Sequence, residues 1–191
     1  MEKVRCDWVV LKSELSIKYH DEEWGNLERF SDDRYLFEML TLEGAQAGLN
    51  WQTILSRREN YRKAFNQFHP ELVARYDDNK IAKLLQNDGI IKNRKKIEST
   101  IKNAQAFLQV QEEFGSFCQF LWDFIDGRPI INEWKTLEEV PTKSELSEKL
   151  SKELKQRNFT FVGPIICYSF MQAIGLINDH TLNCFCHPYN K

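Results

Sequence analysis

Glycine and proline number only 8 and 5 among 191 residues, and this scarcity constrains the chain more than any other feature. Strands and irregular loops need such residues at their turns. A chain with few of them, and with few period-2 apolar runs, is expected to form helices joined by short connections. No internal repeat, low-complexity tract or Gly/Ser linker divides it. The expected architecture is therefore one compact all-α domain covering residues 1–191.

The helices can be placed from caps and apolar spacing. Ser31, with Asp32 and Asp33 in the first turn, is expected to cap a helix carrying Leu36, Phe37, Met39, Leu40 and Glu43 on one broad face. Asn50 is expected to cap a second, with Trp51, Ile54, Leu55, Tyr61, Phe65 and Phe68 as its stripe. Pro70 suits the first position of a short helix, and Ile81, Leu84 and Leu85 mark another that stops near Gly89. A long helix is expected from about Asn93 to Phe114, then an aromatic one over Phe117–Ile125. Ser144 opens an amphipathic helix closed by Arg157-Asn158, and the turn Phe159–Pro164 leads into a nearly all-apolar last helix.

A net charge of -2 rules out a generic polycation, so any nucleic-acid binding has to come from local charge placement. Mean hydropathy is -0.53, and no stretch reaches the ~18 consecutive apolar residues of a membrane span. The richest run, Phe161–Ile177, is broken by Gly163, Ser169, Gln172 and Gly175. The first residues lack the apolar core of a signal peptide. The chain is expected to be soluble, cytoplasmic and, at this size, monomeric. Its 5 cysteines are too few and too scattered for a secreted disulfide framework.

Cys6 and His20 near one end, and His180 and Cys184 near the other, are potential soft-metal ligands. The His-x3-Cys spacing puts both side chains on one side of a helical turn. Such a set would staple residues 1–25 to 178–191, and its four protein donors would make it structural. The alternative is a buried thiol and ordinary surface histidines, and Cys186 and His187 compete as ligands. Glu43 shares the core-facing stripe of its helix, where a carboxylate costs several kcal/mol unless it is paired or lines a polar pocket. Trp8, Tyr19, Trp24 and Trp51 are near it in sequence. Large aromatics around one carboxylate suit a flat, polar, cationic ring, although plain core is the commoner fate of such residues. Between Lys80 and Asn103, seven Lys/Arg face two acidic residues, a local net charge of +5 that could make one side of the molecule basic. Motifs for a serine hydrolase, a zinc protease, a nucleotide-binding loop or an iron–sulfur glycosylase are absent.

Several longer stretches resemble the 3-methyladenine DNA glycosylase I family of the helix-hairpin-helix glycosylases. They are Arg5-Cys6-Asp7-Trp8, Tyr19–Gly25, Leu42–Trp51, Gly89–Arg94, Phe159–Gly163, and Tyr168–Ala173 leading to Asn178-Asp179-His180. The resemblance runs from about residue 5 to 187. It implies a helix-hairpin-helix fold and hydrolysis of the N-glycosidic bond of 3-methyladenine in double-stranded alkylated DNA, with free 3-methyladenine as product; no lysine is assigned as a Schiff-base nucleophile, so the enzyme is expected to be monofunctional. The resemblance also implies one structural Zn²⁺ held by Cys6, His20, His180 and Cys184. Glu43 would be the catalytic carboxylate reading the flipped base, Trp51 the ring stacking on it, and Tyr19, Trp8 and Trp24 its surroundings. Gly48 and Leu49 would fill the gap in the duplex, and Phe161, Val162 and Gly163 would grip the DNA backbone. Asp179 is expected to orient His180 or the tail and to tolerate Asp179→Asn with most excision retained. A non-catalytic zinc-stapled DNA-binding module and a catalytic zinc hydrolase are the competing readings.

Overall fold

The structure, a computed structural model, describes residues 3–9 and 13–190; residues 1, 2, 10–12 and 191 of the expected stapled termini lie outside it. Ten α-helices are present among the described residues: α1 (Glu14–Glu22), α2 (Asp33–Gln46), α3 (Trp51–Leu55), α4 (Arg58–Ala64), α5 (Pro70–Val73), α6 (Asp78–Leu85), α7 (Arg94–Phe114), α8 (Phe117–Phe124), α9 (Glu145–Gln156) and α10 (Pro164–Ala173). The one departure from all-α among the described residues is a parallel pair of two-residue strands, β1 (Ile130–Ile131) and β2 (Ile177–Asn178), with Ile130 opposite Ile177. It aligns the chain leaving α10 with the connection that precedes α9. Among the described residues, no helix is long and apolar enough to cross a membrane.

Side-chain caps set most helix starts. Asn50 accepts from Thr53 N at 2.8 Å, Asn93 from Lys96 N at 3.2 Å and Ser116 from Gln119 N at 2.9 Å. Ser144 and Ser147 cap each other reciprocally. The cap of α2 is Asp32, one residue later than expected. Its carboxylate accepts from both Arg34 N and Tyr35 N, which the Ser31 hydroxyl would do less well at the positive end of the helix. The single helix expected over 51–68 is split into α3, α4 and a left-handed run in which Asn66, Gln67 and Phe68 have φ of 50–57°. That run lets Phe65 and Phe68 stack at 6.2 Å, and Tyr76 Oη donates to the Ala64 carbonyl freed at the end of α4. Helix α1, capped by Ser13, has no counterpart in the apolar spacing.

Helix α2 is the axis of the core, with every residue from Tyr35 to Ala45 buried. Helices α3, α7, α8 and α10 pack around it. This placement forces two glutamates of α2, Glu38 and Glu43, into the interior.

Candidate functional site

Glu38 and Glu43 meet the cost of burial differently. The Glu38 carboxylate accepts from Arg58 Nε at 2.5 Å and Arg62 Nε at 2.8 Å, a buried ion-pair cluster that holds α4 against α2. Glu43 is 5% exposed and has no hydrogen-bond or ionic partner among the described residues; it faces a cavity of about 310 Å³. Burial alone pushes its carboxyl group up to about 8. A glutamate kept only for structure would have found an arginine, as Glu38 does.

The cavity is built by α2, α10, the N-terminal segment and the connection before α9. Glu43 and Gln46, one turn apart on α2, share it with Tyr19, Trp51, Trp8 and Trp24. Tyr168, Ser169 and Gln172 of α10 form a second wall, and Leu137 with Val140, Pro141 and Thr142 a third. The size falls within the range of small-molecule sites, about 300–1,000 Å³. Tyr19 and Trp51 lie against each other with centroids 5.2 Å apart, and burial raises the Tyr19 hydroxyl well above its ordinary pKa, keeping it neutral. The indole N–H groups of Trp8 and Trp51 are buried without an acceptor. Gln46 could have been found from its spacing to Glu43 on one helix face. The α10 residues interrupt an apolar stripe without any charge to mark them, so only the family resemblance over Tyr168–Ala173 singles them out.

Behind Trp8 and Trp24, the two chain ends meet. Cys6, His20, His180 and Cys184 are all buried, and their donor atoms lie within 4.8 Å of one another. Cys6 Sγ is 3.5 Å from His180 Nδ1, and Cys184 Sγ is 3.5 Å from His20 Nε2 and 3.4 Å from His180 Nδ1. A tetrahedral zinc with bonds of about 2.3 Å to sulfur and 2.0–2.1 Å to nitrogen needs S···N edges of about 3.5 Å, so the donor set fits. The outer ring nitrogens are also engaged, His20 Nδ1 by Asp21 at 2.8 Å and His180 Nε2 by the Trp24 carbonyl at 2.9 Å. His180 precedes a single tight turn that Cys184 closes, with Cys184 N donating to Thr181 O at 2.8 Å, rather than sharing the expected helical turn. His187 is no part of the cluster, since its ring nitrogens engage Asn132 O and Tyr189 N. Cys186 lies beside it, grouped with His20 and Asp21.

The expected DNA-contacting residues occupy two turns. Ala47–Asn50 joins α2 to α3, with Gly48 at φ +76° and the Leu49 side chain 42% exposed. The positive φ suits glycine and turns the leucine outward. The other turn joins α9 to α10. Phe161 is half-buried at φ +54°, and Gly163 is the N-cap of α10 with open space where a Cβ would be. Val162 is 1% exposed; its side chain belongs to the core and its carbonyl accepts from Ser151 Oγ at 2.6 Å. The α9–α10 turn packs directly on α2, the helix that carries Glu43, since a Cβ on Gly44 would lie 3.4 Å from Phe161.

Asp179 does not orient His180. Its buried carboxylate accepts four hydrogen bonds of 2.7 Å, from Asn132 Nδ2, Trp134 Nε1, Tyr168 Oη and Gln172 Nε2. It ties the α10 wall of the cavity to the connection after β1.

A comparison of the sequence with protein families matches residues 8–187 to the family described as methyladenine glycosylase. The chain belongs to the methyladenine glycosylase family. It is 49% identical over 187 residues to the DNA-3-methyladenine glycosylase 1 of Escherichia coli (strain K12), covering 98% of both chains. Its fold matches a crystal structure of 3-methyladenine DNA glycosylase I with a TM-score of 0.92 and 51% identity, over 97% of this chain and 100% of that one. A Staphylococcus aureus relative, solved to show the structural basis of 3-methyladenine recognition, superposes with a TM-score of 0.89 at 37% identity, over 93% of each chain. In this methyladenine glycosylase, four of the stretches that carry the family resemblance line the cavity, through Trp8, through Tyr19 and Trp24, through Glu43, Gln46 and Trp51, and through Tyr168, Ser169 and Gln172.

Proposed function

We propose that this chain hydrolyses the N-glycosidic bond of 3-methyladenine in alkylated double-stranded DNA, the excision step of base repair. The observation that carries the reading is Glu43, a buried carboxylate left unpaired in a cavity walled by aromatic rings. N3-methylated adenine in DNA is cationic. When the bond from N9 to C1′ breaks, its electron pair neutralises the base, so the leaving group needs little protonation. A water adds to C1′ and loses a proton.

Selection then rests on charge. The free Glu43 carboxyl group is held partly protonated by burial, and a cationic ring beside it favours the carboxylate, so ionisation and lesion binding reinforce each other. Neutral adenine supplies no such charge. Trp51 stacks on the extruded base, Tyr19 backs that ring, and Trp8 and Trp24 close the wall. The base reaches the cavity only after flipping out of the duplex. Leu49, presented by Gly48, fills the vacated space, and the α9–α10 hairpin meets the DNA backbone through its Phe161–Gly163 turn.

Cys6, His20, His180 and Cys184 would hold one structural Zn²⁺. Four protein donors leave no open position for a water, so the metal would supply folding energy rather than chemistry. Single-turnover release of 3-methyladenine from methylated duplex tests the function. Wild type is expected to release the base and Glu43→Gln, checked to be folded, to do so at least about 100-fold more slowly. No release from folded wild type would overturn the function, and undiminished release from the variant would move the reading group elsewhere.

A further inference from the structure

The turn that carries Leu49 is held from outside by a lysine with no acidic partner. Lys96 Nζ donates to the Ala45 carbonyl at 2.8 Å and to the Ala47 carbonyl at 2.7 Å. These acceptors straddle the end of α2, so the ammonium caps that helix where carbonyls lack intrahelical donors. Lys96 lies in the first turn of α7, at the positive end of the helix dipole, where a cation is disfavoured. Its neighbour Arg94 is relieved by Glu98 at 3.2 Å, but no carboxylate approaches Lys96 among the described residues. Partial burial lowers the Lys96 pKa, a second local cost.

The backbone of Lys96 is fixed on both sides. Its N–H donates to the Asn93 cap at 3.2 Å, and its carbonyl accepts from Ser99 Oγ at 2.8 Å and Thr100 Oγ1 at 2.9 Å. A rigidly mounted cation in an unfavourable place, spending two hydrogen bonds on one turn, is the mark of a brace rather than of a solvated surface lysine.

We propose that Lys96 is a positioning residue for the Gly48–Leu49 wedge, holding the exposed leucine rigid so that it can enter the duplex as the damaged base leaves. This deepens the glycosylase reading and rests on it. Lys96 acts on the turn and leaves the base cavity to other anchors. Trp51 is held separately, by Tyr19 and by Gln52, whose side chain bonds to Ser13 Oγ at 2.7 Å and to Ser16.

The test is a double-mutant cycle on the full chain, pairing Lys96→Met with Leu49→Ala and measuring single-turnover release from methylated duplex alongside binding of free 3-methyladenine. Lys96→Met is expected to slow release about 10-fold or more while free-base binding stays within about 2-fold, because charge-assisted hydrogen bonds to the turn are lost and cavity contacts are not. The double variant is expected to be no slower than the slower single variant, since both act through one wedge. If Lys96→Met fails to fold, Lys96→Gln, which keeps N–H donors without charge, enters the same cycle. Additive losses would overturn the proposal by showing that Lys96 works independently of Leu49. Release within 2-fold of wild type for the lysine variant would also overturn it, as would normal release by Leu49→Ala. A wild type that releases no base would instead strike the glycosylase reading itself.

Discussion

Trp24 holds His180 in two ways: its carbonyl accepts from His180 Nε2 at 2.9 Å, and its indole meets the imidazole edge-on with centroids 4.7 Å apart. The same indole lines the cavity that Glu43 faces and packs against Trp8 at 5.2 Å. One residue therefore touches the donor cluster and lines the cavity. Whatever orders the cluster also orders that wall of the cavity, although the two chain ends are far apart in sequence.

Metal removal should accordingly disturb stability and base binding together. Elemental analysis is expected to find one zinc per chain. Stripping it with a strong chelator leaves four buried donors without their common partner. A loss of about 4 kcal/mol would lower Tm by roughly 8–16 °C for a domain of this size. Affinity for free 3-methyladenine should fall with it as the Trp24 wall loosens. An unchanged Tm in metal-free protein would remove the structural staple; lost hydrolysis at unchanged Tm would point to a catalytic metal.

Glu43 gives the protein a pH signature. Its folded pKa, about 8, lies above the ordinary glutamate value, so the native state keeps a proton that the unfolded chain has already released. Between about pH 4.5 and 8 this residue makes stability fall as pH rises, by at most about 1.4 kcal/mol per pH unit. Glu43→Gln should lack that slope and become the more stable protein at pH 8–9, which denaturant unfolding at several pH values would reveal. In the same range kcat/KM of wild type should rise with pH and level off above about 8, as the free enzyme gains its carboxylate. Parallel unfolding slopes for the two proteins would contradict the buried, unpaired state of Glu43.

Much of this site is legible in the chain because its residues break local rules. Glu43 stands out as a charge on an apolar stripe, and the structure shows that no arginine relieves it, whereas Glu38 of the same helix is relieved by two. The four donors stand out by type, but only the folded chain ends bring them within reach of one ion. Periodicity reads α7 and α9 to within a residue because capping and stripe agree there. It misses α1, whose buried face is Ser16, Tyr19 and His20 rather than an apolar stripe. The α10 wall escapes for the opposite reason: Tyr168 and Gln172 look like ordinary helix residues until Asp179 is seen to hold them.

Asp179 should matter to the fold more than to the chemistry. A carboxylate offers about four lone-pair directions, and here four donors at 2.7 Å occupy them, which leaves none to activate a water. Asp179→Asn would turn an amide N–H₂ toward groups that themselves donate, at a cost of about 1–3 kcal/mol. A lower Tm is expected, while single-turnover release by the folded variant stays within about 10-fold of wild type, far above that of Glu43→Gln. Equal losses in the two variants would make Asp179 part of the reaction.

Trp51 offers the cleanest separation of binding from folding. Its ring lines the cavity beside Tyr19, and its indole N–H is buried without an acceptor, so the polar end costs the native state free energy instead of stabilising it. Trp51→Phe keeps a stacking face and removes that orphan donor; Tm should hold or rise, and affinity for free 3-methyladenine should fall only a few-fold. Trp51→Ala removes the face itself. Base–aromatic stacking of about 1–3 kcal/mol then corresponds to a loss of roughly 5- to 150-fold in affinity. Calorimetric titration with the free base measures both. Affinity unchanged in Trp51→Ala would place the base against another wall of the cavity, leaving Trp51 as packing for Tyr19.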